Sequence, residues 1–161
     1  MESVIPELLT HAAAYRFEGM RAVIPSLHVA LVTCMDSRID AFSIFGLKSG
    51  EVHILRNAGG VVTDDMLRSL VLSQRLLATR EIILMHHTNC GLDKLDEPAL
   101  RASIRAETGS EPPYEFGSFA DVTSAVRADI QRVREHPYLP HRESVRGFVY
   151  NVETGRVTEV T

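Results

Sequence analysis

Apolar and polar positions follow two periods along this chain. Residues 4–24 place Leu9, Ala12, Ala13, Met20 and Val23 on one helical stripe, and Pro25 closes the segment. His28–Thr33 (HVALVT) is a short, mostly apolar run, the pattern of a parallel strand buried on both faces. Glu51–Leu55, Glu81–Met85 and Ser144–Val152 predict three more strands. Glu153-Thr154-Gly155 predicts a turn, and Arg156–Val160 a fifth, antiparallel strand.

Helical periodicity fills the gaps. Asp64–Thr79 sets Leu67, Leu70, Val71 and Leu77 on one face, with Thr63 or Asp64 as the cap. Pro98–Glu107 predicts a short helix stopped near Gly109. Ser118–Glu135 carries Phe119, Val122, Val126, Ile130 and Val133 at helical spacing; Ser118 with Asp121 resembles a capping box, and Pro137 ends the helix. Thr108–Gly117, rich in Pro and Gly, reads as a surface loop. Strands alternating with helices predict one α/β domain over residues 1–161. Its central sheet has four mostly parallel strands plus a C-terminal antiparallel strand, with helices on both faces.

Composition narrows the class. At 161 residues, 45% hydrophobic and 24% charged, the chain fits one folded domain with its own core. A net charge of −4 provides no basic field for nucleic acid. The longest stretch free of Asp, Glu, Lys and Arg, Ala22–Met35, is too short to cross a membrane and holds Pro25 and His28. Glu2, Glu7 and Glu18 near the start, with no basic segment ahead of an apolar block, argue against a signal peptide, so a cytoplasmic location is expected. Two cysteines are too few for a disulfide scaffold.

The polar residues collect where such sheets place their sites, beyond the carboxyl ends of the strands. Cys34-Met35-Asp36-Ser37-Arg38 follows the first strand, Arg56-Asn57-Ala58-Gly59-Gly60 the second, and His86 to Gly91 (HHTNCG) the third. Either cysteine alone reads as a small core residue. Together with His87 they form a Cys₂His set, a zinc arrangement that leaves a fourth position open. Asp36 or Ser37 reads as a helix cap, or else Arg38 orients the Asp36 carboxylate beside the metal. The glycines at 59 and 60 read as a turn needing positive φ, or as backbone lining a small anion. His86 reads as structural, because neighbours on extended chain point opposite ways. His11, His53, His136 and His141 carry no signal of their own; His53 and His86 are guessed as proton relays.

These residues resemble a known family. CMDSR at 34–38, RNAGG at 56–60, HTNCG at 87–91 and the closing RGFVYNVETGRV at 146–157 resemble the β-class carbonic anhydrases, in their compact form, over roughly residues 28–160. The resemblance implies that Cys34, His87 and Cys90 hold one Zn2+ per chain and that Asp36 and Arg38 form a catalytic dyad. The implied reaction is reversible hydration of carbon dioxide to bicarbonate by attack of zinc-bound hydroxide. It also implies a homodimer or dimer of dimers, with the N-terminal helix (1–26) packed on the partner and the active site near the interface. Asn89 stands where many relatives carry Asp. Three other readings remain at this point. One is hydrolysis of carbon disulfide or carbonyl sulfide at the same zinc site; another is a noncatalytic zinc- or anion-binding module. The third, a thiol redox pair, fits poorly because Cys34 and Cys90 lie far apart in sequence. A resting state in which Asp36 itself ligates zinc is an alternative to the Asp36–Arg38 pair.

Overall fold

A computed structural model of the chain describes residues 3–161. Its elements are α1 (Ile5–Ala14), β1 (Val29–Cys34), α2 (Ala41–Phe45), β2 (Val52–Asn57), a 3-10 turn (Ala58–Gly60), α3 (Asp64–Leu77), β3 (Glu81–His87), α4 (Glu97–Thr108), α5 (Val122–Glu135), β4 (Val145–Tyr150) and β5 (Val157–Val160). The sheet order is β2-β1-β3-β4-β5. The first three pairings are parallel and β4–β5 is antiparallel, as the strand pattern predicts.

Alternate residues along the strands feed two apolar clusters. Ala30, Val32, Ile82, Leu84 and Val145 meet Met66, Leu67 and Leu70 of α3 and Val126, Ile130 and Val133 of α5. These helices form because their apolar residues fall on one stripe and their first turns are capped: Thr63 accepts from Met66 N–H and Asp121 from Ser124 N–H. Gly147 lets α5 close onto β4, since a Cβ there would lie 2.3 Å from Val126 Cγ1. On the other face Leu31 and Met85 pack with Ile39 and Ala41, and with the half-buried Ile44, Phe45 and Leu47. That face carries the short α2, capped by Asp40, so the helical cover of the two faces is unequal.

Three expectations are corrected. The N-terminal helix does not run over 4–24: it ends at Ala14, and Tyr15 is extended. No residue of α1 is buried; an amphipathic stripe without a surface to pack on holds little helix in water. The last long helix starts at Val122 rather than Ser118, because Phe119 is drawn into a parallel bridge with Asp93 and Asp121 takes the cap. Neither Asp36 nor Ser37 caps a helix; the cap of α2 is Asp40.

Candidate metal centre

β1 and β3 are adjacent and parallel, so their carboxyl ends open at the same edge of the sheet. Cys34 is the last residue of β1 and His87 the last of β3. The turn after β3 then swings back. Thr88 N–H is held by the Tyr150 carbonyl, Asn89 takes a left-handed φ of 53°, and Asp93 N–H returns to the Cys90 carbonyl. Asparagine tolerates that conformation better than most side chains. The result gathers the Sγ atoms of Cys34 and Cys90 and a ring nitrogen of His87 within 4.8 Å of one another, all three residues buried.

The chemistry of this group fits zinc. His87 Nδ1 lies 2.9 Å from the Thr88 carbonyl, to which it donates, leaving Nε2 as a bare lone pair. That Nε2 is buried and, among the described residues, has no hydrogen-bond partner. A buried polar atom without a partner is costly, and a metal ion supplies what it lacks. Burial pushes the Cys34 thiol up. His87 beside the sulfur and the backbone N–H groups of Asp36 and Gly59 more than reverse this, lowering it to about 7. Cys90 is raised, first by burial and then, against a bond from Leu92 N–H, by the neighbouring Cys34 charge.

Asp36 and Arg38 stand at the rim. Arg38 donates from Nε to Asp36 Oδ1 at 2.9 Å and from Nη2 to Oδ2 at 2.6 Å. This grip, opposed by slight burial and aided by Arg38 N–H, holds the Asp36 carboxyl well below the usual carboxylate range. Asp36 Oδ2 still reaches to 3.8 Å from His87 Nε2. The structure therefore shows Asp36 paired with Arg38, facing the cluster from outside.

Three residues of the strand-end clusters make contacts that the sequence did not assign to them. Arg56 donates to the carbonyls of Cys34 (2.9 Å) and Asp36 (2.7 Å), fixing the backbone between the thiol and the carboxylate. The Asn89 carbonyl accepts from Arg38 Nη2 at 2.9 Å, and its amide bonds Glu153. Gly59 N–H donates to Cys34 Sγ at 3.2 Å. The glycine pair does adopt positive φ, 78° and 71°, as the turn reading requires, and the Gly59 N–H of that turn is spent on the Cys34 sulfur.

Neither relay candidate sits at the site. His53 lies near the start of β2, bonded to Ser73 Oγ at 2.8 Å, at the opposite end of the strand. His86 is fully buried and bonds Asp129 of α5, turned away from His87 as strand alternation requires.

Fold and site together define a class, and the comparisons agree. The carbonic anhydrase family profile matches residues 29–157, and the chain belongs to the β-carbonic anhydrase family. It is 46% identical over 145 residues to beta-carbonic anhydrase 1 of Mycobacterium tuberculosis, covering 90% of this chain and 89% of that one. The crystal structure of carbonic anhydrase from Streptococcus mutans superimposes with a TM-score of 0.91 at 36% identity, covering 100% of this chain and 99% of that one. A carbon disulfide hydrolase of Saccharolobus solfataricus is 28% identical, covering 95% of this chain and 87% of that one.

Proposed function

We propose that this chain catalyses the reversible hydration of carbon dioxide to bicarbonate and a proton, with Cys34, His87 and Cys90 holding one zinc ion. The observation that carries this reading is the buried, partnerless His87 Nε2 within a group that includes two cysteine sulfurs. Zinc in such a donor set is a Lewis acid that brings the pKa of a coordinated water to ~7, supplying a nucleophile at neutral pH.

The chain's own residues do the rest. Asp36, kept ionised by Arg38, accepts a hydrogen bond from the attacking water and aims its lone pair at the carbon. Arg38 is anchored in turn by the Asn89 carbonyl, so the carboxylate cannot swing freely. Gly59 N–H and the Arg56 clamp hold the Cys34 sulfur and backbone in place. Carbon dioxide is small and apolar; the packing of Cys34 and Cys90 with Leu31, Ile39 and Met85 makes the surroundings dry.

We further propose a homodimer, or a dimer of dimers, in the cytoplasm. The support is residues 3–24, where Ile5, Leu8, Leu9, Phe17, Met20 and Val23 are all exposed. Such an apolar arm fits a second copy of the chain. Among the described residues no helix is long and apolar enough to cross a membrane.

Substrate choice is tested directly. Stopped-flow carbon dioxide hydration and sulfide release from carbon disulfide and carbonyl sulfide are measured on the same zinc-loaded protein. Rapid hydration with negligible sulfide release is expected. The reverse pattern overturns the substrate, and zinc binding with neither activity marks a noncatalytic binding module.

A further inference from the structure

α5 turns Val126, Ile130 and Val133 toward the sheet, and Asp129 lies on the same buried stripe, at a position whose spacing suits an apolar residue. A carboxylate is costly there unless its oxygens are paired. One oxygen, Oδ2, takes two donors: the backbone N–H of Val62 at 3.0 Å and His86 Nε2 at 3.0 Å. His86 is fully buried and its Nδ1 has no partner among the described residues, so the bond to Asp129 is the polar contact that sets this ring, with Phe119 5.8 Å away.

Both donors lead to the metal group by short routes. Val62 closes the segment that starts at Asn57, whose amide donates to the Val61 carbonyl at 2.8 Å. Within that segment Gly59 N–H reaches Cys34 Sγ, and Gly60 lies so close that a Cβ would fall 2.7 Å from Cys34 N. His86 immediately precedes His87 at the end of β3. A single carboxylate oxygen on the far face of the sheet therefore ties together the loop that serves one sulfur and the strand end that carries the imidazole.

We propose that Asp129 is a positioning residue for the zinc site, acting through Val62 on the Gly59–Cys34 bond and through His86 on the placement of His87. The proposal rests on the reading of Cys34, His87 and Cys90 as zinc ligands. Asp129 touches neither metal nor substrate; it keeps the donor set at the spacing the ion needs.

The test compares wild type with Asp129→Leu and Asp129→Asn. The readouts are zinc release to excess chelator, the thiolate charge-transfer bands of the cobalt-substituted protein, and kcat against KM. Asp129→Leu fills similar space but strands both donors. It should release zinc about tenfold faster, with shifted cobalt bands. Asp129→Asn keeps a carbonyl oxygen able to accept both bonds and should restore most of the wild-type behaviour. A purely structural Asp129 would lower the melting temperature and leave the bands and the release rate of the folded Asp129→Leu protein as in wild type; that result overturns the proposal. If Asp129→Leu does not fold, His86→Phe, which breaks one of the two bonds, is read the same way: faster release supports the proposal and unchanged release overturns it. Wild-type protein that takes up no zinc would overturn the ligand reading instead.

Discussion

Arg38 meets Asp36 through a two-pronged contact, Nε on Oδ1 at 2.9 Å and Nη2 on Oδ2 at 2.6 Å, while the same Oδ2 lies 3.8 Å from His87 Nε2. The carboxylate is thus held within reach of the ligand cluster and restrained from entering it. Arg38 is the more exposed partner, at 48% of its side-chain surface against 16% for Asp36, so the restraint comes from the solvent side and the carboxylate faces inward.

Removing either partner should separate binding from catalysis. Asp36→Asn keeps the ligand set and should retain zinc, but lose about 10²-fold or more in kcat, the usual worth of a positioned proton acceptor. Arg38→Ala frees the carboxylate, which should move onto the metal and close the open position. X-ray absorption at the zinc edge should then report an additional light-atom ligand coming from the protein, together with loss of activity. Unchanged coordination and full activity in Arg38→Ala would contradict the restraint.

The two thiols should release different numbers of protons at different pH. In the metal-free protein Cys34 titrates at about 7, whereas Cys90 is raised above its ordinary value of 9.0. Above pH 7 Cys34 is already thiolate, so zinc displaces a thiol proton from Cys90 alone. As pH falls through 7 Cys34 regains its proton, and zinc must displace two. Affinity should therefore fall with decreasing pH, with a slope that steepens near 7. Calorimetric titration of zinc in buffers of differing ionisation heat counts these protons; a count constant through this range would be contrary to the prediction.

Gly60→Ala should damage fold and site together. The added Cβ would meet Cys34 N at 2.7 Å and the Thr33 carbonyl carbon at 2.8 Å, at a φ of +71°. The left-handed backbone alone costs roughly 1–2 kcal/mol for a residue with a Cβ, and the clash with backbone atoms adds to it. Denaturant unfolding should show a loss of at least about 2 kcal/mol, with zinc held more weakly in whatever remains folded.

Deleting residues 3–24 should leave the sheet folded and weaken association. No side chain of α1 is buried in the chain, and Met20 is 92% exposed. Light scattering at micromolar concentration is expected to show a dimer or larger for the full chain and a shift toward monomer for the truncated one. A full-length monomer would contradict the dimer proposal.

The sheet was legible because each strand is a compact apolar run between polar stretches. β1, β2 and β3 continue to Cys34, Asn57 and His87, beyond the apolar runs, because ladder pairing extends to these polar ends. α2 was legible only as a helix start placed too early, at Asp36 or Ser37: its five residues are too few for a period, and those two polar residues precede the actual cap, Asp40. The N-terminal stripe was over-read because periodicity names a face without saying what covers it. At the site Cys34, His87 and Cys90 declare themselves through side-chain chemistry at three positions that parallel strands bring to one edge. The contacts of Arg56, Asn89 and Gly59 did not, although the positive φ of Gly59 was expected. Arg56 reaches backbone carbonyls, and Asn89 and Gly59 act through their own backbone atoms, so spacing does not reveal them. Asp129 was hidden for a related reason: its partners, Val62 N–H and His86, come from elements distant in sequence.

The most direct measurement of the central claim is the zinc content of protein purified under reducing conditions, taken together with carbon dioxide hydration, for wild type, Cys34→Ala and His87→Ala. The account predicts one zinc per chain and rapid hydration in wild type, with both lost in each variant. A folded, zinc-free Cys34→Ala protein with full hydration activity would contradict it.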